Sequence, residues 1–282
     1  MKFSRWSLFL ALILATLLFE SGQAASVGCG KTPNLEAGTN TLEVNNKTWK
    51  WILTLPNNYN NTNPYRLIFG MHWLRGSFTD VANGGLPPLL NDSAIFVAPN
   101  GLKSGNLSGW VNTSGEDIIF VQAVMKAIEV DYCVNEKLRF STGFSYGGAM
   151  SYSTACLLGM DFQAVAALSG SPNISGCAGG TDPVAFYGQY SVSDSVLPIL
   201  EGRAMRDIFI KNNGCMNQTV PELVKGRKTH VRTVYLGCML EKPVWFVLFD
   251  GDHIPVLSDN GTSSKNTSWT PHSVWKLFSQ FH

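Results

Sequence analysis

Gly143-Phe144-Ser145-Tyr146-Gly147 is the stretch that decides the fold, because it forms a G-x-S-x-G sequence. A short strand is predicted before it, over Leu138–Thr142, and a helix after it, over Ala149–Leu157. A serine on such a sharp strand-to-helix turn needs glycine on both sides, since strand and helix crowd together there. The pattern therefore predicts a strained elbow that exposes the hydroxyl of Ser145 as a nucleophile.

Apolar runs and amphipathic stretches alternate on both sides of this elbow. The other predicted strands are Thr41–Val44, Lys47–Leu55, Arg66–Trp73, Ala94–Ala98, Val165–Leu168, Val184–Tyr187, Val231–Leu236 and Val244–Phe249. The other predicted helices are Ile118–Tyr132, Ile199–Lys211 and one that begins at Thr270-Pro271. Asn45-Asn46 is typical of a hairpin turn, and Ser114-Gly115-Glu116-Asp117 has the spacing of a capping box. The alternation predicts one α/β domain over residues 25–282, a mostly parallel sheet with helices on both faces.

The charge balance excludes a protein that binds nucleic acid through bulk electrostatics. The 282 residues contain 21 Lys+Arg and 20 Asp+Glu, a formal net charge of +1, whereas phosphate contacts need an excess of basic residues. Charged residues make up 15% of the chain and hydrophobic residues 45%, which favours a sizeable core over long disordered tails.

Residues 1–24 are typical of a secretory signal peptide. Lys2 and Arg5 precede an apolar run over Trp6–Phe19, which is shorter than the about 20 residues of a membrane span. Small residues in Gly22-Gln23-Ala24 place the expected cleavage after Ala24. The 258 residues that remain carry 19 basic and 19 acidic side chains, so the basic excess belongs to the signal. We expect a secreted, extracellular protein with no membrane attachment after cleavage.

The cysteines and the glycosylation sequons fit an oxidising, extracellular compartment. The six cysteines lie after the signal in no metal-binding spacing, which favours disulfides, and Cys215 with Cys238 is the pairing we favour. An occupied sequon must lie on the surface. The sequons are Asn46, Asn60, Asn91, Asn106, Asn112, Asn173, Asn217, Asn260 and Asn266.

A nucleophilic serine needs a base, and an acid that orients the base. In this strand–turn–helix class the chain order is Ser, then Asp or Glu, then His. His253 follows the strand Val244–Phe249 in a glycine-containing loop, at the sheet edge where catalytic groups collect. Asp194 follows the strand Val184–Tyr187, so it is the preferred acid, with Asp250 in reserve.

The tetrahedral intermediate needs two backbone donors. One is expected from Tyr146, directly after the nucleophile, and the other from Trp73 or Leu74, after the strand Arg66–Trp73. His72 precedes this pair, and we expect it to be a buried structural histidine.

The motifs together resemble those of secreted fungal feruloyl esterases of the C/D type. The matching stretches are Gly28-Cys29-Gly30-Lys31, His72-Trp73, Phe96-Val97-Ala98-Pro99, Gly115-Glu116-Asp117, Thr142 to Tyr152, Asp194 to Ile199, Lys211 to Cys215 and Phe249 to His253. The resemblance covers nearly the whole mature chain and all six cysteines. It implies an α/β-hydrolase that cleaves ferulate esters from arabinoxylan or pectin, with Ser145, Asp194 and His253 as its catalytic triad.

Two departures from the family pattern concern the substrate. The chain is about ten residues shorter between Asp80 and Ala94, and Tyr190-Ser191-Val192-Ser193 replaces the family's His-Gly-x-His before the acid. Trp73, Phe78 and Trp110 are the candidate walls of a slot for a planar feruloyl ring. Each of the three could equally be ordinary packing.

Three functions stay open at this point. The first is a feruloyl esterase acting on plant cell-wall polysaccharides, and the second is an acetyl-xylan or polyester esterase with the same triad. The third is a non-catalytic carbohydrate-binding protein on a hydrolase scaffold. We expect a monomer that needs no metal or other cofactor and meets its neutral polysaccharide partner without strong electrostatic steering.

Overall fold

A computed structural model of the chain describes residues 24–105, 107–177, 181–255, 257–259 and 268–282. The expected signal peptide lies outside these ranges except for Ala24, as do the sequons at Asn106, Asn260 and Asn266. Within the described ranges, no helix is both long enough and apolar enough to span a bilayer.

Strands and helices alternate along the described chain. The strands are β1 (Gly38–Val44), β2 (Lys47–Thr54), β3 (Tyr65–Met71), β4 (Ala94–Asn100), β5 (Lys103–Ser104), β6 (Leu107–Ser108), β7 (Val134–Phe144), β8 (Ala164–Leu168), β9 (Ala185–Ser191), β10 (His230–Val234) and β11 (Val244–Phe249). The α-helices are α1 (Phe78–Ala82), α2 (Pro87–Leu90), α3 (Glu116–Asp131), α4 (Tyr146–Leu157), α5 (Ile199–Asn212) and α6 (Thr270–Phe278). Every predicted strand and helix is present, although several bounds move by a few residues.

Nine of the described strands form one sheet, in the order β1-β2-β4-β3-β7-β8-β9-β11-β10. The six strands from β4 to β11 in this order pair in parallel, whereas β1, β2 and β10 pair antiparallel at the edges. The β1–β2 hairpin turns at Asn45 and Asn46 with φ of 52° and 59°, as the asparagine pair predicted. Since parallel strands share a direction, the loops that follow β3, β7, β9 and β11 meet at one edge.

Helices cover both faces of the sheet, because alternate residues of the central strands feed different cores. In β3, Leu67 and Phe69 pack in a cluster with Val124 of α3, whereas Ile68 packs in another with Phe278 of α6. All of these side chains are buried. The predicted class, a mostly parallel α/β sheet with helices on both faces, is confirmed.

The predicted capping box before α3 is wrong. Ser114 lies at φ 54° and contributes no capping hydrogen bond, and the residue before the helix is Gly115 at φ 78°. Asn112 caps the helix instead: its Oδ1 accepts from the backbone N–H groups of Asp117 and Ile118, both at 3.2 Å. In return the Asp117 carboxylate accepts from the Asn112 N–H at 2.6 Å. Burial of this carboxyl raises its pKa to about 7.

The same contacts exclude one sequon, Asn112, from the surface positions that glycosylation requires. Asn112 is buried, and its Nδ2 also donates to the Ser175 carbonyl at 2.7 Å, so its amide is not available to a glycan in the folded chain. Five other sequons are exposed, as occupancy requires: Asn46, Asn60, Asn91, Asn173 and Asn217.

All six cysteines lie within the described ranges and form three disulfides. Cys215 pairs with Cys238, as predicted. The other two bonds join Cys29 to Cys133 and Cys156 to Cys177. The first of these spans 104 residues and ties the beginning of the domain to the start of β7.

Candidate active site

Ser145 occupies a strained turn between β7 and α4. Its φ of 56° and ψ of −115° lie in a region that non-glycine residues rarely adopt, and such strain is typical of functional sites. The Ser145 N–H donates to the Leu168 carbonyl of β8 at 2.8 Å, which holds the turn against the neighbouring strand. The elbow geometry predicted from G-x-S-x-G is therefore present.

The two flanking glycines leave no room for a side chain. A Cβ atom on Gly147 would lie 2.1 Å from the Met71 carbonyl oxygen of β3, and one on Gly143 would lie 2.5 Å from the Gly147 carbonyl carbon. This close approach lets the first turn of α4 rest directly on the sheet, so that Ser145 stands at its edge.

His253 lies between Ser145 and Asp194 within hydrogen-bond distance of both. Its Nε2 is 2.8 Å from the Ser145 Oγ, and its Nδ1 is 2.7 Å from the Asp194 Oδ2. The ring also packs on Phe144, with the ring centroids 4.7 Å apart. An ionised Asp194 fixes the proton on Nδ1, which leaves Nε2 free to accept the serine proton.

Asp194 is held as a carboxylate. Burial alone would raise its pKa, but hydrogen bonds from His253 and from the backbone N–H groups of Leu197 and Val196 outweigh burial and lower it. Both backbone groups donate to Oδ1 at 2.8 Å, while Oδ2 faces the histidine. The two oxygens therefore have separate partners, and the side chain has one stable orientation.

Three serines beside Asp194 bind its loop to the loop that carries His253. Ser191 Oγ donates to the Gly251 carbonyl, and Ser193 Oγ donates to Asp250 Oδ1 at 2.8 Å. Ser195 contributes both its N–H and its hydroxyl to Asp252 Oδ1, at 3.0 and 2.6 Å. These bonds surround the Asp194–His253 pair, so the serine-rich segment that departs from the family pattern links the acid to the base.

The structure places the reserve acid, Asp250, and a second histidine, His230, outside the Ser145–His253–Asp194 arrangement. Asp250 accepts from Ser193 and from the Lys228 N–H and has no contact with His253 among the described residues. His230 forms its own pair with Asp259 at 2.7 Å and stacks on Trp269. His230 is therefore a useful comparison, a histidine–carboxylate pair that is not hydrogen-bonded to Ser145.

The predicted oxyanion donors lie around the elbow. Tyr146 is the first residue of α4, and its N–H has no acceptor among the described residues, nor have the N–H groups of Trp73 and Leu74. The Met71 and His72 carbonyls contact Gly147, which brings the segment after β3 against the start of α4. All three candidate donors therefore belong to segments that meet beside Ser145, and Leu74 is 43% exposed there.

His72 is buried and structural, as predicted. Its Nδ1 lies 2.8 Å from the Trp73 carbonyl, and its Nε2 accepts from the Gly101 N–H at 2.9 Å. Burial lowers its pKa, so the ring is neutral. Trp110 Nε1 donates to the His72 carbonyl at 2.7 Å, and the two rings pack with centroids 4.8 Å apart. Together they fix the segment that carries Trp73 and Leu74.

A cavity of about 350 Å³ opens beside the elbow. Gly143 and Phe144, next to the nucleophile, line it together with Trp73 and with Pro255, two residues after the base. The wall is mostly apolar and is completed by α1, the segment before α2, β4 and α6. Its other lining residues are Gly70, Met71, Asp80, Val81, Gly84, Gly85, Leu86, Phe96, Thr142, Leu168, Ser268, Thr270, Pro271 and Val274.

The predicted substrate-binding aromatics are only partly brought to this cavity. Trp73 lines it, but Trp110 is fully buried in the core with 0% exposure and does not line it, so for Trp110 the alternative of ordinary packing applies. Phe78 packs against the same core as Trp73 and does not line the cavity. The shortened segment after Asp80 does contribute to the wall, through Val81 to Leu86, a role that apolar patterning could not distinguish from core packing.

Among the described residues, no cluster of three or more metal-ligating side chains is present.

The chain is similar in sequence to fungal proteins that are named feruloyl esterases. Feruloyl esterase D of Neurospora crassa is 42% identical over 295 residues, which cover 99% of this chain and 98% of that protein. Feruloyl esterase C of Emericella nidulans is 41% identical over 262 residues, which cover 90% and 91%. A probable feruloyl esterase C of Aspergillus clavatus is 40% identical over 280 residues, covering 96% and 97%.

Solved structures agree on the fold. An acetyl xylan esterase from Aspergillus awamori superposes with a TM-score of 0.64 at 13% identity and covers 86% of this chain and 99% of its own. A ferulic acid esterase superposes with a TM-score of 0.58 at 16% identity and covers 87% and 99%. No family model matches the chain. The identity to the fungal relatives extends over nearly their whole length, and the chain therefore belongs to the family of fungal feruloyl esterases of types C and D, enzymes of the α/β-hydrolase fold.

Proposed function

We propose that this protein is a secreted serine esterase that hydrolyses feruloyl and related hydroxycinnamoyl esters on plant cell-wall polysaccharides such as arabinoxylan and pectin. The observation that carries the proposal is the apolar cavity of about 350 Å³ beside a serine that is hydrogen-bonded to a histidine–aspartate pair. The names of the fungal relatives, which specify feruloyl esters, support the same substrate class.

Acylation begins when the Ser145 hydroxyl attacks the ester carbonyl carbon. His253 Nε2 takes the hydroxyl proton as the new C–O bond forms, and Asp194 stabilises the resulting imidazolium through Nδ1. The carbonyl oxygen becomes an oxyanion that accepts hydrogen bonds from the Tyr146 N–H and from Trp73 or Leu74. His253 then returns the proton to the sugar oxygen, the ester C–O bond breaks, and the polysaccharide hydroxyl leaves.

Deacylation repeats the sequence with water. The neutral His253 removes a proton from a water molecule, and the hydroxide equivalent attacks the acyl-serine carbonyl in the same oxyanion site. When the tetrahedral intermediate collapses, the proton passes to the Ser145 oxygen and the free acid leaves. Every proton that leaves a nucleophile is passed on by one histidine, so no further cofactor is needed.

The size of the cavity favours a planar aromatic acyl group over acetate. A volume of about 350 Å³ lies within the roughly 300–1,000 Å³ of small-molecule sites. An acetyl group would leave most of that apolar surface in contact with water, whereas a hydroxycinnamoyl ring would cover it. At roughly 25 cal/mol per Å² of buried apolar area, the ring contributes affinity that acetate cannot.

The location and the partner follow from independent features. The basic-then-apolar residues 1–24 support export as a signal peptide, with a mature α/β-hydrolase domain over 25–282. Three disulfides and five exposed sequons support an oxidising, glycosylating route. A nearly neutral chain suits a neutral polysaccharide and needs no charged steering, and we expect it to act as a monomer.

Hydrolysis of methyl ferulate by the purified wild-type protein, measured beside hydrolysis of methyl acetate, tests the substrate class. We expect kcat/KM for methyl ferulate to exceed that for methyl acetate by at least about tenfold, because only the ring fills the cavity. Turnover of acetyl-xylan or a polyester without turnover of methyl ferulate would contradict the feruloyl assignment and favour the second esterase class.

Replacing the proposed nucleophile and base tests the mechanism. Ser145→Ala and His253→Ala are each expected to lose at least about 10³-fold in kcat/KM. His230→Ala is the matched control, because His230 also pairs with an aspartate, Asp259, but is not hydrogen-bonded to Ser145. Full activity in Ser145→Ala would mean that Ser145 is not the nucleophile, and loss in His230→Ala alone would mean that the base is misassigned. Absence of any ester turnover by the wild type would instead favour the non-catalytic scaffold.

A further inference from the structure

Four polar side chains interrupt the mostly apolar wall of the cavity: Asp80, Thr142, Ser268 and Thr270. Asp80 and Ser268 accept local hydrogen bonds, and the Thr142 side chain makes no hydrogen bond among the described residues. Asp80 accepts from the Ser77 N–H and hydroxyl, at 2.9 and 2.7 Å. Ser268 Oγ accepts from the Leu257 and Thr270 N–H groups, at 3.1 and 3.4 Å. Thr270 differs, because its hydroxyl belongs to a longer buried chain of hydrogen bonds.

This chain of hydrogen bonds runs from the interior of the sheet to the cavity. The Tyr187 hydroxyl donates to Gln189 Oε1 at 2.9 Å, and Gln189 Nε2 donates to Thr270 Oγ1 at 3.1 Å. Tyr187 and Gln189 are on β9, and Thr270 begins α6. The exposures of the three side chains are 0%, 2% and 3%, so water contributes little to the chain. A fully connected buried network of this kind holds its members in single orientations.

The donor-to-acceptor direction of these hydrogen bonds leaves the Thr270 O–H without a use as a donor. An amide NH₂ can only donate, so the Thr270 oxygen is an acceptor towards Gln189, and its own O–H must find another acceptor. Among the described residues, no acceptor lies within hydrogen-bond distance of that hydroxyl hydrogen. Thr270 is among the residues that line the cavity and is 3% exposed, so a further acceptor for its hydroxyl would have to come from a molecule bound in the cavity.

An unpaired donor on an apolar wall costs free energy in the empty protein, and a ligand oxygen would recover it. The cavity reaches from Gly143 and Phe144, beside Ser145, to Thr270 and Val274 of α6. An elongated acyl group that presents its ester to Ser145 therefore directs its other end away from the nucleophile and into this cavity. For a hydroxycinnamoyl group, that end carries the ring hydroxyl or methoxy oxygens.

We propose that Thr270 determines specificity: its hydroxyl, oriented by Gln189 and Tyr187, donates a hydrogen bond to a ring oxygen of the bound hydroxycinnamoyl group. This inference rests on the proposed function, since it assumes that the acyl group occupies the cavity. Thr270 acts on substrate choice and takes no part in bond breaking. A donor at this position favours acyl groups with an acceptor on the ring over the unsubstituted cinnamoyl group.

The test compares substrates that differ only on the ring. kcat/KM is measured for methyl ferulate and methyl cinnamate in the wild type and in Thr270→Val, which keeps the shape of threonine and removes the hydroxyl. We expect Thr270→Val to lower the ferulate-to-cinnamate ratio by about three- to tenfold, the contribution of one neutral hydrogen bond. Thr270→Ser retains the hydroxyl and is expected to keep the wild-type ratio. Thr270→Ala serves as a second hydroxyl-free variant if Thr270→Val does not fold.

Thr142→Val is the comparison for an unoriented hydroxyl, since Thr142 lines the same cavity but no hydrogen bond among the described residues fixes its side chain. It is expected to change both substrates by a similar factor and so to leave the ratio unchanged, and a fall of the ratio as large as in Thr270→Val would contradict the special role of Thr270. Methyl 4-hydroxycinnamate and methyl 3-methoxycinnamate then distinguish which ring oxygen accepts. An unchanged ratio in Thr270→Val, with normal ferulate turnover in the wild type, overturns the role of Thr270 and leaves the proposed function intact. Absence of all hydroxycinnamate turnover in the wild type overturns both.

Discussion

Replacing Asp194 with asparagine should inactivate the enzyme without moving its backbone. The Oδ1 atom of Asp194 accepts from two backbone N–H groups, at Val196 and Leu197, and only an oxygen can remain there. The amide NH₂ of the variant must then occupy the Oδ2 position, 2.7 Å from the Nδ1 of His253. A donor at that point forces Nδ1 to be the acceptor, so the ring proton moves to Nε2 and the base can no longer accept the serine proton.

The size of the expected loss of activity follows from losing both the productive tautomer of His253 and its ion pair with Asp194. In serine hydrolases with this arrangement, the same change lowers kcat by roughly 10⁴-fold while the geometry persists. Because the two backbone bonds to Oδ1 survive, we expect the midpoint of thermal unfolding to fall by no more than a few degrees. We therefore expect a loss of about 10³–10⁴-fold in kcat, with a much smaller change in KM.

Steady-state hydrolysis of 4-nitrophenyl acetate and methyl ferulate measures this loss, and thermal unfolding checks the fold. Asp250→Asn is the control, because Asp250 bonds Ser193 and the Lys228 N–H and leaves His253 untouched. We expect it to retain activity within about threefold. The reasoning is refuted if Asp194→Asn keeps activity within tenfold of the wild type, or if Asp250→Asn loses as much as Asp194→Asn.

Three further predictions concern stability and the walls of the site. Burial raises the Asp117 pKa from 3.8 to about 7, so the folded state loses stability as pH rises through that range. The free energy of unfolding of Asp117→Asn, measured by chemical unfolding, should therefore rise relative to that of the wild type by up to about 4 kcal/mol between pH 4 and pH 8. The Cys29–Cys133 disulfide spans 104 residues, so replacing both cysteines with alanine should lower the unfolding free energy by roughly 4–5 kcal/mol. Since that bond lies at the opposite end of β7 from the nucleophile, kcat at 25 °C should stay within about twofold, and a large loss would contradict this placement. Trp110→Phe leaves the His72 carbonyl without its donor and should cost about 1–3 kcal/mol of stability and lower kcat/KM for both test esters, whereas an unchanged unfolding curve would contradict the structural role of that hydrogen bond.

Local patterns predicted most of the fold and the triad candidates. The G-x-S-x-G elbow, the alternating elements and the chain order of Ser145, Asp194 and His253 depend on residues close in sequence or on a fixed topology. Strand β11 ends at Phe249, as predicted, which puts His253 in the loop at the catalytic edge. The acid was correctly placed after β9 although that strand continues four residues beyond its predicted end, to Ser191.

Features that depend on distant contacts were not predictable in this way. Trp110 was a candidate wall of the substrate slot, but it is buried, and its Nε1 donates to the carbonyl of His72, 38 residues away in sequence. The cap of α3 comes from Asn112 because Ser114 adopts a positive φ, which no spacing rule reveals. The same asparagine lies in a sequon, and a sequon carries no information on burial.

The role of the segment before Asp194 also emerged only from the folded chain. In sequence, Tyr190-Ser191-Val192-Ser193 is a departure from the family pattern with no evident replacement. In the structure, its serines bond the loop that carries the base, alongside Ser195. Short hydroxyl side chains can span two adjacent loops wherever the backbones approach within one hydrogen bond, and that proximity is a property of the sheet order β9–β11.

Trapping the acyl-enzyme tests the central claim most directly, because it identifies the nucleophile and the acyl group together. Wild-type enzyme mixed with excess methyl ferulate is quenched in acid within its first turnovers, digested and analysed by mass spectrometry. The account predicts one feruloyl group on the peptide that contains Ser145, and no adduct in Ser145→Ala. A feruloyl adduct on any other residue, or steady ferulate release by Ser145→Ala, would contradict it.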